Sequence, residues 1–558
     1  MPTIHIPPTV QALLAARIDR LPPEEKRVLQ ASSVIGKDVS VVLLQAAFQE
    51  REGDLRRILV HLQAAELLYE TRLFPEVEYT FKHALTHEVA YASLLHERRQ
   101  TLHRNVLEAL ERREQAQAGD DAELLARHAI GAEAWSKSAR YLRLAAQKTV
   151  TRSSYEAAVE LLQQALRALE RLPETAETLA EAIDVRLDLR IALIPLGRYH
   201  DVLAVMREAE GLATRLGDRG RLGRVLADIA ARLRNVTGEH RQAIEVGQRA
   251  LALATESGDR ELEIEARYRT GQAHFAVGDY REALELLSRC VEDASAGGAH
   301  PSPLFGPWSL TWLALTLTSL GRFDDGRARA LQALGIAERV AHPFTVAETL
   351  TAVGGVSTAQ GDYDVAMDAL ERARVIVGTW KLQPWAVLGR LGYALALSGR
   401  PQEGREALEE VVRSATTMSS MGLARALQLA WLGEAYLLEG RLDDALRHGH
   451  EALRLARRQQ ERGHEAWSLR LLGEVTSRRD PSYAETAEGH YRDALSLADE
   501  LGMRPLAAHC HSQLAKLMRQ GPRSAQGRQH RAAATTMYRE MGMRIWLDRL
   551  DPERQTST

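Results

Sequence analysis

Cysteine is almost missing from this 558-residue chain. There are two, Cys290 and Cys510, too far apart in sequence to suggest a disulfide framework, so a reducing compartment is expected. An excess of one charge is missing as well: 72 Lys and Arg face 75 Asp and Glu, a formal charge of −3. That balance gives no electrostatic case for nucleic acid or anionic membranes as partners. No run of eighteen apolar residues occurs, so no membrane span is expected. The N-terminal "MPTIHIPPTVQALLAARIDRLPPEEKR" lacks the continuous apolar stretch of a signal peptide, and a cytoplasmic location is the expectation. Catalytic signatures are absent too. There is no G-x-x-x-x-G-K-[ST] loop for phosphate, no G-x-S-x-G nucleophile turn and no CxxC pair. "HCH" at 509–511 cannot gather one metal ion, because successive helical residues point about 100° apart. The chain therefore reads as a non-enzyme with no cofactor and no metal.

What is present is a repeat. Apolar residues at 45% and charged residues at 26% mark a globular chain. Within it "GEHRQAIEVGQRAL" at 238, "GDYREALELLSRC" at 278, "GDYDVAMDALERA" at 361 and "GRLDDALRHGHEAL" at 440 are copies of one pattern. Gly197, Gly238, Gly278, Gly321, Gly361, Gly399 and Gly440 recur every 38 to 43 residues, each between two helical patterns where a short turn needs positive φ. Further copies start near Ser153, without the glycine, and at Gly489. Small residues stand seven before the glycine (Ala231, Gly271, Ala314, Gly354, Gly392, Gly433) and five after it (Ala243, Ala283, Gly326, Ala366, Gly404, Ala445). They let two helices approach closely. Cys290 takes the place of an alanine that recurs twelve after the glycine.

This pattern resembles the tetratricopeptide repeat in a form of about forty residues. It implies an all-α chain: a right-handed α-solenoid of about ten helix pairs, each burying its face on its neighbours. The first helix of each pair lines the concave surface, where a protein or peptide partner would bind. Counted from the glycines, Arg232, Tyr268, Gln272, Phe275, Thr311, Tyr393 and Glu434 face that groove. Trp308, Trp312, Trp385, Trp431 and Trp467 lie on or near first helices and read as core. "GGAHPSPLFGPWSLTW" from Gly297 interrupts the array and predicts a longer loop. The expected division is a head at 1–118, the solenoid at 119–545 and a frayed tail at 546–558.

The head has no repeat. Helical patterns, one broken at Leu21-Pro22-Pro23, lead into "LLYETRLFPEVEYTF", a predicted β-hairpin around Pro75, giving a small winged-helix-like domain. Its would-be recognition helix carries Asp54, Arg56, Arg57, His61 and Glu66, and its hairpin Glu70, Arg72, Glu76, Glu78 and Lys82. A DNA reader would be basic on both, and this mixture argues against nucleic acid. "YTFKHALTHEVAY" then sets His83 and His87 four apart on one helix, with the glutamate after the second histidine instead of between the two, so the H-E-x-x-H zinc pattern is not met.

The stretches "IPPTVQALLAARIDRLPPEEKRVLQASSVIGKDV" and "LQAAELLYETRLFPEVEYTFKHALTHEVAYASLLHERRQTLH" resemble the region that follows the ATPase core in bacterial signal-transduction ATPases of the STAND class, often fused to adenylate or guanylate cyclase domains. That class continues into tetratricopeptide repeats, and its winged-helix domain closes over a nucleotide held by the ATPase core. The resemblance implies that "FKHAL" takes the place of the class's M-H-D motif, with His83 as the phosphate-sensing residue. Lysine and alanine replace its methionine and aspartate. It also implies an ATPase or cyclase module as a partner, because the core itself is not in this sequence. His87, Glu88 and Tyr91 read as packing around the same helix.

Overall fold

A computed structural model describes residues 8–48, 52–72, 76–114, 121–295, 305–380, 385–417, 425–519 and 523–550. The tail at 551–558 and most of the Gly297 loop lie outside them. Two compact units result, Met1–Leu196 and Gly197–Thr558.

The first unit opens with α1 (Pro8–Asp19) and α2 (Pro23–Ile35). Pro23 starts α2 because its fixed φ suits the first helical position, and Glu24 and Glu25 complement the helix dipole there. Next come β1 (Asp38–Ser40), α3 (Val41–Phe48) and α4 (Glu52–Ala64). The expected hairpin is present as β2 (Leu68–Arg72) and β3 (Glu78–Phe81), antiparallel, with Leu68 opposite Phe81. Its tip at 73–75 lies outside the described residues. A strand that sequence reasoning missed, β1, pairs with the other side of β3, and the hydroxyl of Thr80 donates to Asp38 at 2.7 Å. Glu66 is not on α4 as expected but follows it at φ 55°. Much of the mixed charge is paired, His61 with Glu25, Lys82 with Glu66 and Arg72 with Glu78. The unit continues through α5 (Ala84–Ala92), α6 (His96–Glu114), α7 (Ala122–Gly131), α8 (Trp135–Thr151), α9 (Tyr155–Leu169) and α10 (Ala176–Leu193). Ser153 stands where the repeat glycine would be and itself adopts φ 57°.

The second unit is the expected α-solenoid. It starts with α11 (Tyr199–Leu216) and then runs through eight helix pairs among the described residues. The pairs are α12 (Arg219–Arg232) with α13 (His240–Ser257), α14 (Arg260–Val277) with α15 (Tyr280–Ser295), and α16 (Phe305–Ser319) with α17 (Phe323–Val340). Then come α18 (Pro343–Gln360) with α19 (Tyr363–Thr379), and α20 (Trp385–Leu397) with α21 (Pro401–Thr417). The last three are α22 (Arg425–Leu438) with α23 (Leu442–Gln459), α24 (Arg462–Arg479) with α25 (Ala484–Leu501), and α26 (Arg504–Leu517) with α27 (Ser524–Glu540). A short α28 (Arg544–Leu550) ends the described chain.

The seven repeat glycines all take positive φ, from 70° to 98°. The small-residue columns meet as expected: Gly392 and Gly404 are so close that a Cβ on Gly404 would stand 2.4 Å from the carbonyl oxygen of Gly392. Cys290 is fully buried in the packing position assigned to it. Gly489 departs from expectation. It lies inside α25, because that helix starts earlier, after a single 3-10 turn at Pro481–Tyr483.

The solenoid also closes on itself, which the repeat pattern does not show. Its early glycine turns rest on turns about two hundred residues later. A Cβ on Gly278 would meet the backbone nitrogen of Gly463 at 3.0 Å, and one on Gly321 the sulfur of Met541 at 2.5 Å. His240 Nε2 donates to Glu461 Oε1 at 2.9 Å, and Glu461 Oε2 accepts from His464 Nδ1 at 2.9 Å. Glu461 and His240 are each 1% exposed, so the carboxylate has lost water and recovers its hydrogen bonds from the two imidazoles. Those partners outweigh burial and hold its pKa down to about 2.

Candidate binding interior

Closure turns the concave face into an interior. Within it is a partly enclosed cavity of about 130 Å³, lined mainly from the first helices of seven successive pairs, α14 to α26, with Tyr280 of α15, Met503 just before α26 and Trp546 of α28. The lining follows the repeat register. In α16, α18 and α20 the lining comes from residues six, three or two before the glycine, as at Leu315, Thr318, Gly355, Thr358 and Tyr393, and in α20 and α22 also from nine before it. The six-before column holds Gln272, Leu315, Gly355, Tyr393 and Glu434, and the nine-before column holds Arg390 and Trp431.

Of the residues expected at the groove, Phe275 and Tyr393 line the cavity. Arg232, Tyr268, Gln272, Thr311 and Glu434 are buried and are not among its lining residues. Two networks tie most of them together. In the first, Gln272 donates to the Tyr268 hydroxyl at 2.8 Å and accepts from Arg234 at 3.2 Å, while the Arg234 guanidinium lies 4.9 Å from the Trp312 ring centre. A π-helical turn at Leu233–Thr237 carries Arg234. In the second, Glu434 accepts from the Tyr393 hydroxyl at 3.2 Å and from Arg470 at 2.6 Å, and Arg470 also reaches Glu474 at 3.1 Å. Burial and the Glu434 charge push the Tyr393 phenol well above its ordinary range. The two acids beside Arg470 overcome its burial and raise its pKa.

Sequence reasoning missed the cavity's own aromatic and charged wall. Trp431 and Trp467 pack against the core as read, and they also border the cavity with Trp546 and His509. Trp308 and Trp312 do pack in the core around Leu313. His509 is neutral: burial pulls it well below its ordinary range, and its Nδ1 bonds the Tyr538 hydroxyl at 2.7 Å. The shared place of Arg390 and Trp431 nine before the glycine is no signal by itself, since Trp312 stands at the same place and is not among the lining residues.

Arg390 is the exceptional member. Its guanidinium lies 5.9 Å from the Trp431 ring centre and makes no hydrogen bond or ion pair among the described residues. Burial lowers its pKa to about 10, against the opposing pull of Glu348. Glu348 is likewise without such a partner, and burial raises its pKa despite the charges of Arg390 and Arg234. Gly355 makes room for this arginine: a Cβ there would stand 2.6 Å from an Arg390 terminal nitrogen.

In the first unit, His83 caps α5, exposed, with φ −134° and no side-chain capping bond. His87 donates from Nε2 to the Ser33 carbonyl at 2.9 Å and stacks with Tyr91, so these two do pack around the helix. Glu88 does not, being exposed. Among the described residues no three His, Cys, Asp or Glu side chains converge as metal ligands. No helix there is long and apolar enough to cross a membrane.

Residues 225–296 match the tetratricopeptide repeat family. An uncharacterized protein of Rhizobium meliloti (strain 1021) is 22% identical across 91% of this chain and 50% of its own length, so the chain spans about half of that relative. Among solved structures, a Rap protein complexed with competence and sporulation factor is 15% identical, covering 66% of this chain and 99% of its own, with a TM-score of 0.49. A STAND protein with a tetratricopeptide repeat sensor from Pyrococcus horikoshii is 12% identical over 88% of this chain and 66% of its own, with a TM-score of 0.34. The apo quorum sensor NprR from B. thuringiensis is 13% identical over 65% of this chain and 99% of its own, with a TM-score of 0.41. At that level of likeness nothing about ligand or activity passes to this chain.

Proposed function

We propose that the chain is a non-enzymatic regulatory protein, cytoplasmic, that holds a peptide or a segment of a partner protein inside its solenoid. The observation that carries this reading is the cavity lined mainly from the first helices of seven successive pairs. Side chains that pack a repeat need only suit the neighbouring repeat. Here the inward columns change chemistry from pair to pair, from Phe275 to Arg390 to Trp467, as a surface that discriminates between ligands would. The test is selection of peptides from a displayed library, with an Ala359→Trp variant as counter-selection, since Ala359 lines the cavity. Peptides that bind the wild type and not the filled variant support the reading. Peptides that do not tell the two apart refute it.

A second reading is that the chain, with its head at 1–118 and repeats at 119–545, is the sensor part of a nucleotide-controlled ATPase or cyclase whose catalytic domains lie elsewhere. His83 favours it, as an exposed imidazole at the start of α5 with no side-chain capping bond, the place the STAND-class resemblance gives to a phosphate sensor. Titration with ADP and ATP tests it, alone and with a STAND-class ATPase core added. Nucleotide affinity that requires the added core and falls on His83→Ala supports this reading, and affinity indifferent to His83 removes it.

A further inference from the structure

We propose that the cavity recognises a carboxylate joined to one compact apolar or aromatic group, with Arg390 as the residue that takes the carboxylate. The inference rests on the interior being a ligand site and names the chemistry of that ligand.

Three observations support it. The first is an unfinished charge arrangement. A guanidinium presents five donors in a rigid fork, and Arg390, only part-buried at the cavity wall, keeps its donors open to a ligand. Arg390 lines the cavity 5.9 Å from the Trp431 ring centre and makes no hydrogen bond or ion pair among the described residues, and Glu348 acts on it through space. Among the described residues Arg234, near the same Glu348, bonds the neutral Gln272 and no acid. Two guanidinium groups thus share one carboxylate that touches neither, and an incoming carboxylate would supply the missing negative charge and the missing acceptors at Arg390.

The second observation is that the backbone makes a place for this arginine. Gly354 and Gly355 are adjacent in α18, and they serve different partners. Gly354 sits against Leu370 of the paired helix, the ordinary repeat contact, whereas Gly355 sits against the Arg390 guanidinium. The six-before column carries a side chain in the flanking repeats, Leu315 and Tyr393, and none here. Any side chain at 355 would displace the guanidinium.

The third is the rest of the wall. Trp431, Trp467, Trp546 and Phe275 give it flat apolar faces, and Tyr393, His464, Thr358 and Ser319 are polar residues of the same wall. A volume of about 130 Å³ holds roughly one aromatic ring, since an engineered cavity of ~150 Å³ binds benzene. The cavity itself takes one residue, the end of a bound peptide, or a small acid. The carboxylate could come from the C-terminus of a peptide or from a free small acid.

The experiment measures binding to the full chain by calorimetry and by fluorescence of the cavity tryptophans. Phenylacetate is compared with phenylacetamide, and Gly-Gly-Gly-Phe as free acid with its C-terminal amide. The acids should bind at least about tenfold more tightly than the amides, as expected for a charge-assisted bond. Arg390→Gln should abolish that difference. Gly355→Ala, which keeps the charge and moves the guanidinium, should reduce it, and Glu348→Gln should strengthen acid binding by about threefold or more by removing a competing negative charge. A tighter free acid would assign the site to small acids, and a tighter peptide to C-termini; both support the proposal. Acid and amide binding equally in all variants overturns it while leaving the interior as a ligand site. No binding of any probe at millimolar concentration also overturns it, and the peptide selection then decides the broader reading separately.

Discussion

Acidification from pH 7.5 to 5.5 should loosen the packing of α6 on α7 by about 2.7 kcal/mol, through one pair of histidines. His103 and His128 are 4% and 0% exposed, and their Nδ1 atoms face each other at 3.0 Å. Arginine can only donate, so Arg127, 3.2 Å from His128 Nε2, makes that nitrogen an acceptor. His128 then donates from Nδ1 to His103 Nδ1, and His103 donates from Nε2 to the Tyr91 hydroxyl at 3.0 Å. Both rings are neutral in this chain of bonds, and protonating either puts two donors face to face. Burial, with the charge of Arg127, lowers His103 to about 4 and His128 to about 3. Because the folded values lie below the unfolded ~6.5, the unfolded state binds more protons. The stabilisation is full above that pH and is lost as pH falls. At pH 5.5 each unfolded imidazole carries ~0.9 proton and each folded one almost none, which gives ~1.3 kcal/mol per ring relative to pH 7.5. The result is the same for any folded pKa below about 4.5, so it depends on burial and not on the exact shift. Hydrogen exchange of α6 and α7 peptides, corrected for intrinsic rates, reads this directly as about a hundredfold loss of protection. His128→Asn, whose amide reaches the place of Nδ1, should halve the free-energy change, leaving about a tenfold loss. Equal protection at the two pH values would refute the neutral-pair assignment.

Glu461→Ala should destabilise the second unit by about 3–5 kcal/mol in urea unfolding, because it leaves His240 and His464 buried without their shared acceptor; Glu461→Gln should cost less. Gly404→Ala should cost about 2 kcal/mol or more, since the new methyl meets the Gly392 carbonyl, as denaturant midpoints would show. Gly211→Ala, mid-helix in α11 with nothing within 4 Å of the added Cβ, should instead stabilise by about 0.5–1 kcal/mol. Burial pushes both thiols up to about 12, so Cys290 and Cys510 should resist a thiol reagent at pH 8 in the native chain and both react once it is unfolded.

What the sequence makes legible in this molecule is what each repeat does within itself. A glycine between two helices must serve a turn that one pair needs, and small residues seven before and five after it must meet across that same pair. Gly392 against Gly404 is settled by residues twelve apart, and the position of Cys290 follows from the same register. The hairpin was readable for the same reason, since β2 and β3 are neighbours in sequence. β1 was not: three residues have no periodicity, and their pairing with β3 spans forty positions.

The interior was legible only in part because two different environments select the same residues. A tryptophan on a first helix gives one pattern whether it only packs on the core, as Trp312 does, or packs there and also borders the cavity, as Trp431 does. The choice between them depends on how many pairs complete a turn of the superhelix, and that sums small rotations no single repeat records. The contact of His240 with Glu461, 221 residues apart, is where that sum becomes visible. Once the turn closes, the inward columns lose part of their water, and a charge there finds a partner or shifts its pKa. Arg470 finds Glu434 and Glu474. Arg390 does not, and its pKa moves down. The same closure that hid the site from the repeat pattern is therefore what singles out Arg390 within it.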